Sequence, residues 1–149
     1  MSINYRELLS TPKGFLMSGG VVLLVLGLLG FVTLNGSAAQ SALGSFFWLD
    51  NSENVAHTAL GIVALAAVYV PGLNTMLKPY YRWIVILVAL IALFFGVYGF
   101  LVAGDASGKN TFGLANLELG DNLLHLVVFA WAGLAAMSWG SSKSMMTSR

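Results

Sequence analysis

The chain holds two histidines, and both sit in the same polar pattern. "LDNSENVAHTAL" (residues 49–60) carries Asp50, Glu53, Asn54 and His57. "LELGDNLLHLVV" (residues 117–128) carries Glu118, Asp121, Asn122 and His125, so each copy reads acid-x-x-acid-Asn-x-x-His. On a helix, Glu53 with His57 and Asp121 with His125 are i, i+4 neighbours sharing one face. Imidazole beside carboxylate suits zinc, iron or manganese, and two such motifs brought together supply two nitrogens and several carboxylates. The candidate ligands are therefore His57, His125, Glu53 and Asp121, supported by Asn54, Asn122, Asp50, Glu118 and Tyr98.

Other chemistry fits the same residues. Two histidines at one depth could be the axial ligands of a haem, although its propionates would meet carboxylates with Lys109 as the outer cation. A pigment held by one histidine stands on the same footing. With no ligand at all, Asn54, Asn122 and the imidazoles could satisfy one another in a buried hydrogen-bonded network that pins two halves of the protein together. Part of the motif needs only helix capping. Asp-x-x-Glu matches a capping box, acids at a helix start complement its dipole by about 0.3 to 1 kcal/mol, and Ser52 and Gly120 are acceptable N-caps. Capping does not call for Asn and His a turn further in. No nucleophile elbow, phosphate loop or zinc-protease motif occurs, so the sequence leaves enzymatic activity open. The absence of cysteine excludes thiolate sites and disulfides.

The elements that must position these residues are membrane helices. Of 149 residues, 58% are hydrophobic and 9% charged, with a mean hydropathy of +0.83, far from the roughly 25% charged residues of soluble domains. Four apolar stretches, near 14–34, 52–70, 80–103 and 120–140, approach the roughly 20 residues that cross about 30 Å of hydrocarbon. Pro71 and Pro79 bracket the turn between the second and third. The first is longer than the apolar core of a cleaved signal peptide and reads as a true span. Six of the seven Lys and Arg residues fall on one side of this arrangement, Lys109 being the exception, which makes both termini cytoplasmic. A net charge of +1 gives no reason to expect nucleic acid. The expected partners are the lipid bilayer and other membrane protein subunits, an accessory role in a larger complex being the alternative to a ligand site. Trp48, Tyr80, Tyr81, Trp83 and Trp139 fall near span ends as interfacial anchors.

The two motifs belong to a longer repeat. Leu49, Asp50, Glu53, Asn54 and His57 recur 68 positions later as Leu117, Glu118, Asp121, Asn122 and His125. Gly27, Gly30 and Phe31 recur 69 positions later as Gly96, Gly99 and Phe100. A tandem duplication of a two-helix hairpin accounts for both registers with one indel. The expected fold is an all-α integral membrane four-helix bundle: a first hairpin at 14–73 and a second at 74–141, preceded by a cytoplasmic segment, 1–13, and followed by a mobile cytoplasmic tail, 142–149. Each unit crosses twice, so the copies share one orientation, and the second and fourth helices stand diagonally with their histidines facing inward. The repeated glycines read as close-packing positions. Tyr98 lies at similar depth and has no counterpart in the first copy, where Leu29 stands.

Asn54 to His57, Asp121 to Leu126 and Tyr98-Gly99 fall in the order and spacing of a family of small four-helix bacterial membrane proteins, classed as a domain of unknown function. The chain resembles that family from about 19 to 140. The resemblance implies the fold and a bacterial cytoplasmic membrane, and it implies no activity.

The charge bias generates a direct test. Single cysteines at Ser107 and Ser148, probed with a membrane-impermeant thiol reagent in intact cells, are expected to label at Ser107 and to stay protected at Ser148.

Overall fold

The structure, a computed structural model, describes residues 5–34, 39–102 and 119–146. Every regular element among them is helical: α1 (Tyr5–Ser10), α2 (Pro12–Gly30), α3 (Asn51–Tyr69), α4 (Pro71–Leu77), α5 (Tyr81–Val102) and α6 (Leu119–Met146), with short 3-10 turns at Gly44–Phe46 and Lys78–Tyr80. Three segments are long and apolar enough to cross a membrane: Pro12–Gly30, Pro71–Leu101 and Leu119–Ser138. Sequence reading expects a fourth span at α3. That helix is as long as α2, 19 residues each, but opens with Asn51, Ser52, Glu53, Asn54 and His57, which lower its apolarity.

Local chemistry sets the helix ends. Thr11 caps α2 by accepting a hydrogen bond from Gly14 N at 3.0 Å, and Pro12 occupies the first turn, where its missing N–H costs nothing. Asp50, rather than Ser52, caps α3. Its Oδ1 accepts from Glu53 N at 2.9 Å while Glu53 Oε2 accepts from Asp50 N at 2.7 Å, a complete capping box. Gly120 likewise lies inside α6 and not at its cap. α6 continues to Met146, so residues 142–146 of the expected tail extend the helix; no proline interrupts "SSKSMM".

The other end of α3 has a less obvious solution. Pro71 cannot supply the N–H that would continue the helix by bonding to Ala67 O. The hydroxyl of Tyr81, a residue 1% exposed, donates to that carbonyl at 2.7 Å, and Asn74 Nδ2 donates to Val68 O. Two carbonyls left over at a helix terminus thus find side-chain donors from the next two elements.

α2 with α3 and α5 with α6 form closely packed pairs, and the pairs meet through α2, which packs on both α5 and α6. One core joins Phe15 and Leu16 of α2, Val68 of α3, Val85 and Ala89 of α5, and the alanine face of α6, Ala132, Ala135 and Ala136. Phe15 meets Trp131 edge-on at 4.8 Å, and Trp131 Nε1 donates to Leu9 O at 2.7 Å, which ties α1 to α6. At the opposite end, Leu34, Phe47 and Leu49 form a second cluster with Leu26 and Leu124 against it. Leu49 N donates to Leu34 O at 2.9 Å, holding the two ends of the α2–α3 connection together.

Tyr81→Phe keeps the ring but leaves Ala67 O without its donor. The expected loss is about 1 to 3 kcal/mol of stability, read as a lowered thermal midpoint of the purified protein in detergent.

Candidate functional site

Glycine contacts define the helix pairing. Gly30, Gly27 and Gly20 of α2 abut Asn54, Thr58 and Leu65 of α3 in that order, and Gly99 and Gly96 of α5 abut Asn122 and Leu126 of α6, so both pairs run antiparallel. A Cβ on Gly30 would fall on Oδ1 of Asn54, and one on Gly99 would fall on Oδ1 of Asn122. Each asparagine amide therefore fills the space left by a missing side chain on the neighbouring helix. Both asparagines are fully buried. They pack within their own hairpin, whereas a clasp between hairpins would have them face each other.

One turn further along, each histidine is anchored in the same way. His57 Nδ1 donates to Glu53 O at 2.8 Å, and His125 Nδ1 donates to Asp121 O at 3.0 Å. A carbonyl oxygen only accepts, so Nδ1 carries the proton in both rings, and Nε2 of a neutral imidazole keeps its lone pair for a ligand. Both rings are half-buried. His57 lies within electrostatic range of both Asp121 and His125, so the two motifs share one neighbourhood. The ring of Phe95 stands 5.5 Å from that of His125.

The acids divide. Glu53 and Asp50 are engaged in the capping box of α3. Asp121 is fully buried, with Oδ2 3.1 Å from His125 Nδ1. The Nδ1–H points at the main-chain carbonyl, and among the described residues neither Asp121 carboxylate oxygen meets an aligned hydrogen-bond donor. The amide atoms of Asn54 and Asn122 and the Thr58 hydroxyl are also buried without an aligned partner. Buried polar atoms of this kind are uncommon and mark places where a protein is under functional or packing constraint. Glu118 lies outside the described residues. Tyr98 stacks on Phe94 with ring centroids 5.5 Å apart, and both line an outward apolar groove with Leu90, Leu93, Val97 and Leu101. Among the described residues no group of three or more His, Asp or Glu is close enough to hold a metal ion. The arrangement presents two imidazoles, with Glu53 turned to its helix start and Asp121 to the Nδ1 side of His125.

Sequence reading treats the glycines and the asparagines as separate features and passes over Thr58 and Phe95. The signal joining them is present: the glycines recur with a 69-residue displacement and the asparagines with 68, so a contact between Gly30 and Asn54 implies one between Gly99 and Asn122. Comparison of the chain with known protein families, curated proteins and solved structures finds no match.

Gly30→Ala and Gly99→Ala each drive a methyl group into a buried amide. Each is expected to destabilise the protein by about 1 to 3 kcal/mol, as overpacking does elsewhere. Asn54→Ala removes the obstacle. The double variant Gly30→Ala/Asn54→Ala is expected to melt higher than the sum of the single losses allows, the coupling being read from a double-mutant cycle.

Proposed function

We propose that the chain is a bacterial cytoplasmic-membrane protein of four spans, built from a duplicated hairpin with both termini cytoplasmic. In this reading its paired histidines bind a divalent transition metal, zinc, iron or manganese, near the outer surface. The observation that carries the reading is the identical anchoring of His57 and His125: each Nδ1 is tied to the carbonyl four residues back, which leaves each Nε2 free as a donor. Ligating histidines are commonly held in this way, by a hydrogen bond from the ring nitrogen that does not bind the metal. In this reading the two imidazoles supply two protein nitrogens, and water or a small anion completes the coordination. Haem on the same pair ranks below a bare ion because of the acidic surroundings. The motif's likeness to small four-helix bacterial membrane proteins supports the topology.

A second reading is favoured by a separate observation. The buried asparagines fit glycines within each hairpin and need no ligand to do so. On that reading the protein is a non-catalytic accessory subunit of a larger membrane complex, and the motif serves packing.

Metal analysis of protein purified without chelator separates the two. His57→Ala and His125→Ala are each expected to abolish bound metal while the helical circular dichroism persists, because each deletes a ligand and little apolar contact. Variants that keep their metal content, or a wild type that binds none when offered zinc, iron or manganese, leave the accessory-subunit reading.

A further inference from the structure

From Asn54 to Gly104 the chain contains no acid, and its only Lys or Arg residues are Lys78 and Arg82. Both lie in the corner between α3 and α5, where α4 and the following 3-10 turn carry the chain round, and both are exposed. We propose that this corner binds an anionic phospholipid. Lys78 and Arg82 take its phosphate, and the exposed Leu73, Met76, Tyr80 and Trp83 lie against the top of its acyl chains. The inference rests on the reading of the chain as a membrane-spanning protein, and its outcome does not depend on metal binding.

Hydrogen bonds within the protein fix the corner. The hydroxyl of the buried Tyr81 donates to Ala67 O, and Asn74 Nδ2 donates to Val68 O, so residues on both sides of Lys78 are pinned to the last turn of α3. Within the corner, Asn74 N donates to Val70 O at 2.8 Å and Thr75 Oγ1 to Pro71 O at 2.9 Å. Lys78 N donates to Asn74 O, and Tyr81 N to Lys78 O. The backbone is right-handed helical at Leu77, Lys78 and Tyr81, which keeps Lys78 and Arg82 about one turn from each other. Two like charges at that spacing repel, and an anion shared between them removes the repulsion.

Helix length sets the depth of this pair. The 22 residues of α5 rise about 33 Å, slightly more than the roughly 30 Å of hydrocarbon. Arg82, the second residue of α5, therefore stands at the headgroups, and Lys78 precedes it. Large apolar side chains exposed beside two cations are poorly placed in water and poorly placed in hydrocarbon. A corner lying in the headgroup region satisfies both, with apolar groups toward the acyl chains and charged ends toward the phosphates. The planar guanidinium of Arg82 suits two phosphate oxygens at once, and the Lys78 ammonium adds a point charge. The apolar shelf favours a phospholipid over free phosphate. The lack of any acid in this stretch favours an anionic lipid over a choline lipid, whose own ammonium group Lys78 and Arg82 repel with no carboxylate of the stretch to offset it. Lys13, exposed at the start of α2, is a cation at the same end of the antiparallel α2–α3 pair but outside the corner.

The test uses the full chain in detergent, titrated with dioleoyl phosphatidylglycerol or dioleoyl phosphatidylcholine, with occupancy of the first bound lipid read by native mass spectrometry. Each cation near a membrane surface strengthens anionic-lipid binding about 5-fold, so the wild type is expected to hold phosphatidylglycerol about 25-fold more tightly than phosphatidylcholine. That comparison needs no variant to fold. Lys78→Gln and Arg82→Gln are each expected to weaken phosphatidylglycerol binding about 5-fold, and the double variant to show no preference between the lipids. Lys13→Gln is expected to keep the wild-type preference. All three side chains are exposed, so the helical circular dichroism is expected to persist in every variant. Equal wild-type affinity for the two lipids, or a preference that survives in the double variant, would overturn the site. So would an equal loss in Lys13→Gln, which marks general surface attraction, or displacement of the lipid by millimolar inorganic phosphate, which marks a phosphate site. Cysteine labelling at Ser107 and Ser148 reads the topology separately, so loss of the lipid site leaves the four-span reading standing.

Discussion

The packing of an asparagine amide against a glycine is the contact on which the upper half of each hairpin depends. Asn54 on Gly30 and Asn122 on Gly99 set how closely the helices approach and which residues lie opposite one another. No larger side chain fits on the glycine side. Between apolar helices in a bilayer the hydrophobic effect gives little preference for one register, and close van der Waals fit must supply it. The amide is the feature of the seam that cannot slide. From each asparagine the chain advances three residues to a histidine, so fixing the asparagine also fixes where the imidazole emerges.

Satisfaction of polar groups runs through the rest of the structure. Where Pro71 ends α3, the hydroxyl of Tyr81 and the amide of Asn74 take up the carbonyls it abandons. At the other end of the same helix Asp50 and Glu53 take up the first N–H groups. In an apolar surrounding, every unpaired backbone group is costly, and α3 is closed at both ends by side chains. Against that background, among the described residues the buried side-chain atoms without an aligned partner are those of Asp121, Asn54, Asn122 and Thr58, all in the histidine motifs or the residue beside them. With both ends of α3 satisfied, these atoms concentrate the polar constraint in one region.

The outward faces tell a consistent story. Val21, Val25 and Leu28 of α2, Ile62 and Val63 of α3, and Leu87, Leu90 and Leu101 of α5 are exposed, while glycine and alanine occupy many of the inward positions. A water-soluble protein would bury the large residues and expose polar ones; here small residues face neighbouring helices and large apolar ones face outward. Tyr98 follows this outward set, stacked on Phe94, although its depth in the sequence aligns it with the histidines.

The sequence by itself determined the helical class, three of the four segments it marks as long and apolar enough to cross a membrane, and the pairing of acid, asparagine and histidine. These depend on composition, length and spacing along one helix, which are properties of consecutive residues. It also contained the capping box at Asp50 and Glu53, because a cap is a contact across three residues. Tertiary structure decided what the spacing left open: that Asn54 and Asn122 rest on glycines of their own hairpins, that Tyr81 closes the end of α3, and that Tyr98 turns toward Phe94. It also separated Glu53 from Asp121. The two acids occupy the same place in the repeat, yet Glu53 Oε2 accepts from Asp50 N at the start of α3 while Asp121 Oδ2 lies 3.1 Å from His125 Nδ1. That outcome depends on the space and partners around each side chain, which neighbouring helices create and a linear pattern does not encode.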